Sequence, residues 1–289
     1  MNVECLTINV ECLTINVEGL EEGRDAASQR PGISSSWYMG GRSTLRPYRR
    51  VERGIKQISM YILIDIGNTR MKVCIADTHS IRPIEDWQQY LQYAEAVLVS
   101  NVAGEQAVPK EVLEHPRSMM LTWQSPEARV WLKNIPAGLG SDRVAADIGA
   151  RSLCPGHTLL IVDAGTCLTF DVIGADGKVL GGSISPGVNL RLKAMHEHTA
   201  ALPLLDANGE HPVLGYDTPT AMRGGAVNGM RWEIEGYIRT IRAQYPDLHV
   251  FMTGGDSMDF PQELAGIITC EPFLVQMGLL AVWAKRRVQ

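Results

Sequence analysis

Two short acidic turns, Asp65-Ile-Gly-Asn-Thr69 and Asp163-Ala-Gly-Thr166, stand about a hundred residues apart, and each follows a run of β-branched and aliphatic residues. A carboxylate delivered to the carboxyl end of an apolar strand, with a Gly that lets the backbone turn tightly, sets amide N–H groups and a Thr hydroxyl around one space. One such turn is an ordinary loop. Two of them, after the same kind of strand, point to a duplicated α/β fold with two phosphate-gripping walls, where carboxylate, amides and hydroxyl together suit a metal-bound polyphosphate.

The rest of the chain fits that constraint. From Met60 onward the apolar pattern changes repeatedly between a period of two and one near 3.6, the mark of strands interleaved with helices. Strands are predicted at Tyr61–Ile64 and Met71–Ile75, joined by a Gly67-Asn68 turn. Others are predicted at Ala96–Val99 and Met119–Thr122, with helical stretches near 86–93 and 105–114. The theme returns with strands at Thr158–Val162, Leu168–Ile173 and, after an Asp176-Gly177 turn, Lys178–Ile184. A long helix over 219–243, a strand at His249–Met252 and a helix from Phe273 to about Arg286 follow. The chain is therefore expected to divide into a first half, 60–155, and a second, 156–289.

Residues 2–18 read Asn-Val-Glu-Cys-Leu-Thr-Ile twice and then Asn-Val-Glu again, too few copies for a solenoid. With the Arg-, Gly- and Ser-containing stretch that follows, 1–59 reads as a disordered leader or a misassigned translation start. The 289 residues are 45% apolar and 20% charged, an ordinary globular balance. No apolar run approaches the roughly 20 residues that span a bilayer, and no secretion signal opens the chain, so the expectation is a cytoplasmic protein with no membrane partner. A net charge of −5 without a long basic stripe argues against nucleic acid as a partner, the local cluster Arg42, Arg46, Arg49, Arg50 and Arg53 aside. Six cysteines without a Cys-x-x-Cys spacing form neither a zinc knuckle nor a disulfide framework, and those outside the repeat read as small buried hydrophobes.

Familiar phosphate devices are missing. Gly174-Ala-Asp-Gly-Lys178 has the wrong spacing for a P-loop, and Gly138-Leu-Gly140 runs into Ser-Asp-Arg143 without completing a dinucleotide fingerprint. No G-x-S-x-G elbow of a serine hydrolase occurs.

Five elements occur in order instead: Asp65-x-Gly-Asn-Thr69 with Lys72; Gly140-Ser-Asp-Arg143; Asp163-x-Gly-Thr166 with Thr169 and Asp171; Gly181-Gly-Ser-Ile-Ser-Pro-Gly187; and Thr253-Gly-Gly255. From about Met60 to the C-terminus the chain resembles type III pantothenate kinase. The resemblance implies the duplicated ribonuclease H-like fold of the acetate and sugar kinase, Hsc70 and actin superfamily, two similar halves with ATP in the cleft between. It also implies ATP-dependent phosphorylation of pantothenate to 4′-phosphopantothenate, the first step of coenzyme A synthesis, by a homodimer whose substrate site lies near the interface.

Phosphoryl transfer through a loose transition state rests on neutralising oxygens and aligning the acceptor hydroxyl. Asp65 and Asp163 suit Mg²⁺, directly or through water. Gly67, Asn68, Thr69, Gly165 and Thr166 offer amide and hydroxyl donors to ATP, with Lys72 as added positive charge unless it faces solvent. The resemblance makes Asp142 the general base on the acceptor hydroxyl, places Gly254 and Gly255 beside the nucleotide and Thr218 on pantothenate, and adds a monovalent cation, K⁺ or NH₄⁺. Gly140 belongs to the acceptor element, and the Arg143 fork suits the substrate carboxylate. Ser141 and Thr218 read as helix N-caps. Asp171 is either structural or orders the centre, and His196 and His198 read as surface residues. The family's pocket Tyr has no counterpart in Trp131–Gly138. Two other readings stand beside the kinase: a related phosphotransferase or phosphatase acting on another small acceptor, and a non-catalytic regulator of the same fold.

Overall fold

The computed structural model describes residues 59–77, 79–255 and 260–286; the seven-residue repeat, the basic cluster and the expected leader up to residue 58 lie outside the described residues. Among the described residues ten strands make two sheets. The first holds β1 (Tyr61–Ile66), β2 (Met71–Ala76), β3 (Ile81–Pro83), β4 (Ala96–Asn101) and β5 (Ser118–Met120) in the order β3-β2-β1-β4-β5. The second holds β6 (Leu159–Ala164), β7 (Cys167–Ile173), β8 (Val179–Pro186), β9 (His249–Gly254) and β10 (Ile268–Cys270), and its order β8-β7-β6-β9-β10 repeats the first. In each sheet three strands form an antiparallel meander, and the fourth and fifth run parallel to the first. This is a ribonuclease H-like topology present twice, the α/β architecture of the actin and Hsc70 type of ATPase.

Among the described residues seven α-helices accompany the sheets: α1 (Lys110–Leu113), α2 (Ala128–Trp131), α3 (Ser141–Leu153), α4 (Val188–Glu197), α5 (Thr218–Gln244), α6 (Gln262–Ala265) and α7 (Leu274–Arg286). Strand alternation sorts the side chains into layers. Ile62, Ile64, Val97 and Val99 face outward onto Trp87, Val108 and Val112. Leu63, Cys74 and Leu98 face inward and share one core with Leu159, Ile161 and Phe251 of the second sheet, around α3 and α7. On the far side, Leu160, Val162 and Phe170 pack against α4 and α5 through Leu192, Met222, Met230, Ile234 and Ile238. The two central helices cross so closely that a Cβ on Gly278 would lie 1.8 Å from the Ala145 carbonyl oxygen, which only glycine allows. The halves are thus joined through a largely apolar middle layer.

The predicted long helix and C-terminal helix form almost as placed, and every predicted strand exists. In the first half the helical stretches are shorter than their patterns suggest. Trp87–Tyr93 is a 3₁₀ helix, and 105–114 breaks into a 3₁₀ turn and the four-residue α1, because Pro109 between them has no amide to continue the ladder. The sequence reading places neither β3 nor β10, whose three residues are too few for a period to show, and it sets no bounds for α4. The expectation of buried thiols holds for Cys74 but not for Cys270, which is exposed, nor fully for Cys154 and Cys167, which are partly so.

Candidate active site

Asp65 is the fifth residue of β1 and Asp163 the fifth of β6, so alternation turns both inward, to the face that carries Leu63 and Ile161 into the shared core. Lys72 and Ser100 lie opposite Asp65 on the two neighbouring strands, and Thr169 and Thr253 flank Asp163 in the same manner. Where the apolar layer ends, at the carboxyl ends of β1 and β6, these polar residues replace it. The two turns then meet: the hydroxyls of Thr69 and Thr166, 97 residues apart in sequence, are 2.8 Å from each other.

This end of the molecule carries excess negative charge. Asp65 is buried, and its Oδ1 has no hydrogen-bond partner among the described residues. Burial pushes its carboxyl above the ordinary aspartate range, with the Lys72 charge pulling back and that of Asp142 pushing further. Asp163 is pushed up to about 6, again chiefly by burial, against Lys72 and with help from Asp142, Asp65 and Asp171. Asp65 and Asp163 thus feel the same Lys72 and Asp142 charges, which places these four groups near one another. Taking such charges out of water is costly unless they bind a proton or a cation.

The start of α3 is pinned beneath. Its N-cap is Gly140, not Ser141. Ser141 is already helical, and its hydroxyl serves β4 instead, accepting the Asn101 N–H at 2.8 Å and donating to the Asn101 carbonyl at 3.0 Å. Gly140 is needed for space: a Cβ there would sit 2.5 Å from Asp142 Oδ1, which accepts the Arg143 N–H at 2.7 Å. The Arg143 fork lies on Asp171, with Nε to Oδ2 at 2.7 Å and Nη2 to Oδ1 at 2.6 Å, and Nη2 also reaches the Phe170 carbonyl at 3.2 Å. Asp171 therefore holds Arg143 side-on, and Nη1 makes no hydrogen bond among the described residues.

In each turn the glycine amide is already used, Gly67 on the Arg70 carbonyl and Gly165 on the Cys167 carbonyl, both at 3.1 Å. The donors a phosphate would meet are therefore further round each turn, where Asn68, Thr69 and Thr166 are exposed. Thr253-Gly-Gly255 stacks against the second turn: Gly255 N–H donates to the Ala164 carbonyl at 3.0 Å, and Gly254, at φ 108°, approaches so closely that a Cβ would lie 2.4 Å from that oxygen. Arg70 reaches across from the first turn toward Gly255.

Thr218 stands apart. It is the exposed first residue of α5, and the cap is Asp217, whose carboxylate accepts the Thr220 N–H at 2.8 Å while the Thr220 hydroxyl accepts the Asp217 N–H at 3.2 Å. Thr218 makes no hydrogen bond to the cleft among the described residues. His196 and His198 are exposed, and no group of three or more His, Cys, Asp or Glu is arranged to hold a metal among the described residues. Two members of the site escape the sequence reading. Ser100 becomes visible only through the parallel register of β1 and β4, whereas Arg70 was open to inspection in the first turn.

The profile of the type III pantothenate kinase family matches residues 61–240. A type III pantothenate kinase of Bacteroides fragilis is 39% identical over 232 residues, which are 76% of this chain and 96% of that protein. One from Porphyromonas gingivalis is 34% identical over 237 residues, 77% of this chain and 97% of that protein. Among solved structures, a Baf family transcriptional activator from Campylobacter jejuni superposes with a TM-score of 0.51 at 23% identity, over 79% of this chain and all of that one, a likeness of fold.

Proposed function

The chain belongs to the type III pantothenate kinase family and is a kinase that phosphorylates pantothenate in coenzyme A biosynthesis, and on that premise we propose how its residues divide the work. The observation that carries the assignment of roles is the meeting of the two acidic turns at Thr69 and Thr166, with Asp65 and Asp163 facing the same cleft. ATP lies between the turns, its phosphates on the donors of Asn68, Thr69 and Thr166 and near Lys72, its nucleoside beside Gly254 and Gly255. Gly67 and Gly165 shape the two walls.

Mg²⁺ fits this cleft. Among the described residues Asp65 offers a buried oxygen with no hydrogen-bond partner, and the donors are hard carboxylate oxygens of the kind Mg²⁺ takes while keeping several waters. Held by Asp65 and Asp163, it would supply positive charge to the phosphate oxygens. A monovalent cation, K⁺ or NH₄⁺, answers the same surplus, since Asp65, Asp142, Asp163 and Asp171 act on one another with Lys72 and Arg143 as counter-charges.

Asp142 orients the acceptor hydroxyl and takes its proton as the phosphoryl group moves. Gly140 gives the acceptor access to it, and Arg143, steadied by Asp171, meets the acceptor's carboxylate through Nη1. The protein works as a homodimer, in which Thr218 reaches the acceptor from the partner subunit. That reading is supported by the exposed apolar side chains of Val213, Leu214 and Tyr216 just before Thr218, and by Ile184 and Trp232 in the same half. No helix among the described residues is long and apolar enough to cross a membrane, and we place the enzyme in the cytoplasm, with 60–155 and 156–289 as the halves about its nucleotide.

Incubation of the purified protein with ATP, Mg²⁺, K⁺ and pantothenate should yield 4′-phosphopantothenate by mass spectrometry. Omitting either cation should slow it, and gel filtration should give twice the chain mass. Product formation at an undiminished rate by an Asp142→Asn enzyme would remove Asp142 from the role given to it.

A further inference from the structure

One buried acid has no part in the scheme above. Asp147 sits on α3, one helical turn beyond Arg143 and on the same face. It is completely buried, and neither carboxyl oxygen has a hydrogen-bond partner among the described residues. The charges that act on it are those of Asp171 from β7 and of Arg143 and Asp142 from its own helix; α7, on the other side of α3, contributes none. Arg143 is the one cation of the three, and it is engaged with Asp171 through Nε and Nη2. Arg143 is thus the one cation on which a charged Asp147 and the proposed acceptor's carboxylate would both draw.

We propose that Asp147 is a positioning residue for the acceptor: neutral, it leaves Arg143 to Asp171 and the substrate carboxylate, and charged, it draws the guanidinium back along α3 and weakens acceptor binding. The inference rests on the role given to Arg143 above. Its physical basis is that a carboxylate without hydrogen bonds in a closed interior is opposed by lost solvation and by two like charges, so the site stabilises the acid form relative to the charged one. Burial pushes Asp147 well above the ordinary aspartate range. Below its ionisation Arg143 is available, and the competition begins only as pH rises through it.

The test is the pH dependence of KM for pantothenate and for MgATP, measured from mildly acid pH into the alkaline range. For the wild type the pantothenate KM should climb by up to about tenfold per pH unit once Asp147 ionises, while the MgATP KM and kcat keep a different course. Asp147→Asn, which holds the neutral form at the same size, should abolish the climb. A wild-type pantothenate KM that stays flat overturns the proposal without any variant, so a misfolded mutant does not rescue it. A climb that survives in Asp147→Asn overturns it as well. An Arg143→Ala enzyme with an unaltered pantothenate KM would remove the role of Arg143 together with this inference, whereas the other two outcomes leave that role standing.

Discussion

The two halves share a strand order and differ in everything laid over it. Inside, β1 and β6 deliver Asp65 and Asp163 at the same position and on the same face, and their turns touch. Outside, the first sheet is covered by short pieces, the 3₁₀ helix Trp87–Tyr93 and α1, while the second carries the ten residues of α4 and the 27 of α5. The outer covers differ in polarity too, since most of the strongly exposed apolar side chains, among them Leu214 and Tyr216, belong to the second half. On the reading proposed above, the inner faces match because both close on one polyphosphate. The outer faces are free of that demand, and the second half uses its freedom for a surface we assign to assembly and to the acceptor.

The comparison is most easily broken at the seam between the halves. Asp142→Asn should lower kcat by roughly 10²- to 10⁴-fold, about 3–5 kcal/mol of barrier, while calorimetry finds MgATP binding intact. Loss of nucleotide binding alongside would mean that the seam supports the walls and not the chemistry. Gly278→Ala, which drives a Cβ into the Ala145 carbonyl in the middle layer, should cost on the order of 1–3 kcal/mol in denaturant melts. The same change at exposed Gly236, where nothing lies within 4 Å of the added carbon, should stabilise slightly through helix propensity.

The acidic turns themselves can be told apart by pH. Asp163 binds its proton more tightly folded, at about 6, than its ordinary value of 3.8 allows. The metal-free protein therefore loses stability as pH rises from about 4 through 6, and Asp163→Asn loses less. The variant should melt higher than the wild type at pH 7.5, by an amount on the order of 1–3 kcal/mol, and alike near pH 4; equal melting at both values would take Asp163 out of the buried surplus. The smallest effect belongs to the contact between the turns. Thr166→Val should cost about 0.5–1.5 kcal/mol, read as a modest rise in the MgATP KM, and Thr69→Val the same, because each removes one end of one hydrogen bond.

How far these features could be read in advance depends on their range along the chain. The strands, the long helix and both acidic turns are local: alternation, 3.6-residue periodicity and a glycine after an acid are all visible within a dozen residues, so the duplicated fold and the placement of Asp65 and Asp163 stand in the sequence, whereas Asp142 was singled out only by the resemblance. The caps show where local reading stops. Ser141 and Thr218 have the right chemistry, yet β4 claims the Ser141 hydroxyl and Asp217 takes the cap of α5 with Thr220. Arg143 is evident as a cation beside an acid, but its commitment to Asp171 depends on β7 lying next to α3.

The amino-acid order by itself determined the two halves, their acidic turns and the inward parity of both carboxylates, because backbone geometry makes every second strand residue face one way wherever the strand lies. Only the tertiary structure decided that Thr69 meets Thr166, that Ser100 faces Asp65, that Arg143 is held by Asp171 and that Asp147 is sealed without a partner. Those arrangements join residues from different sheets and helices. The energy that selects them comes from closing the central apolar layer around α3 and α7, a property of the whole packed molecule that no short stretch of chain contains.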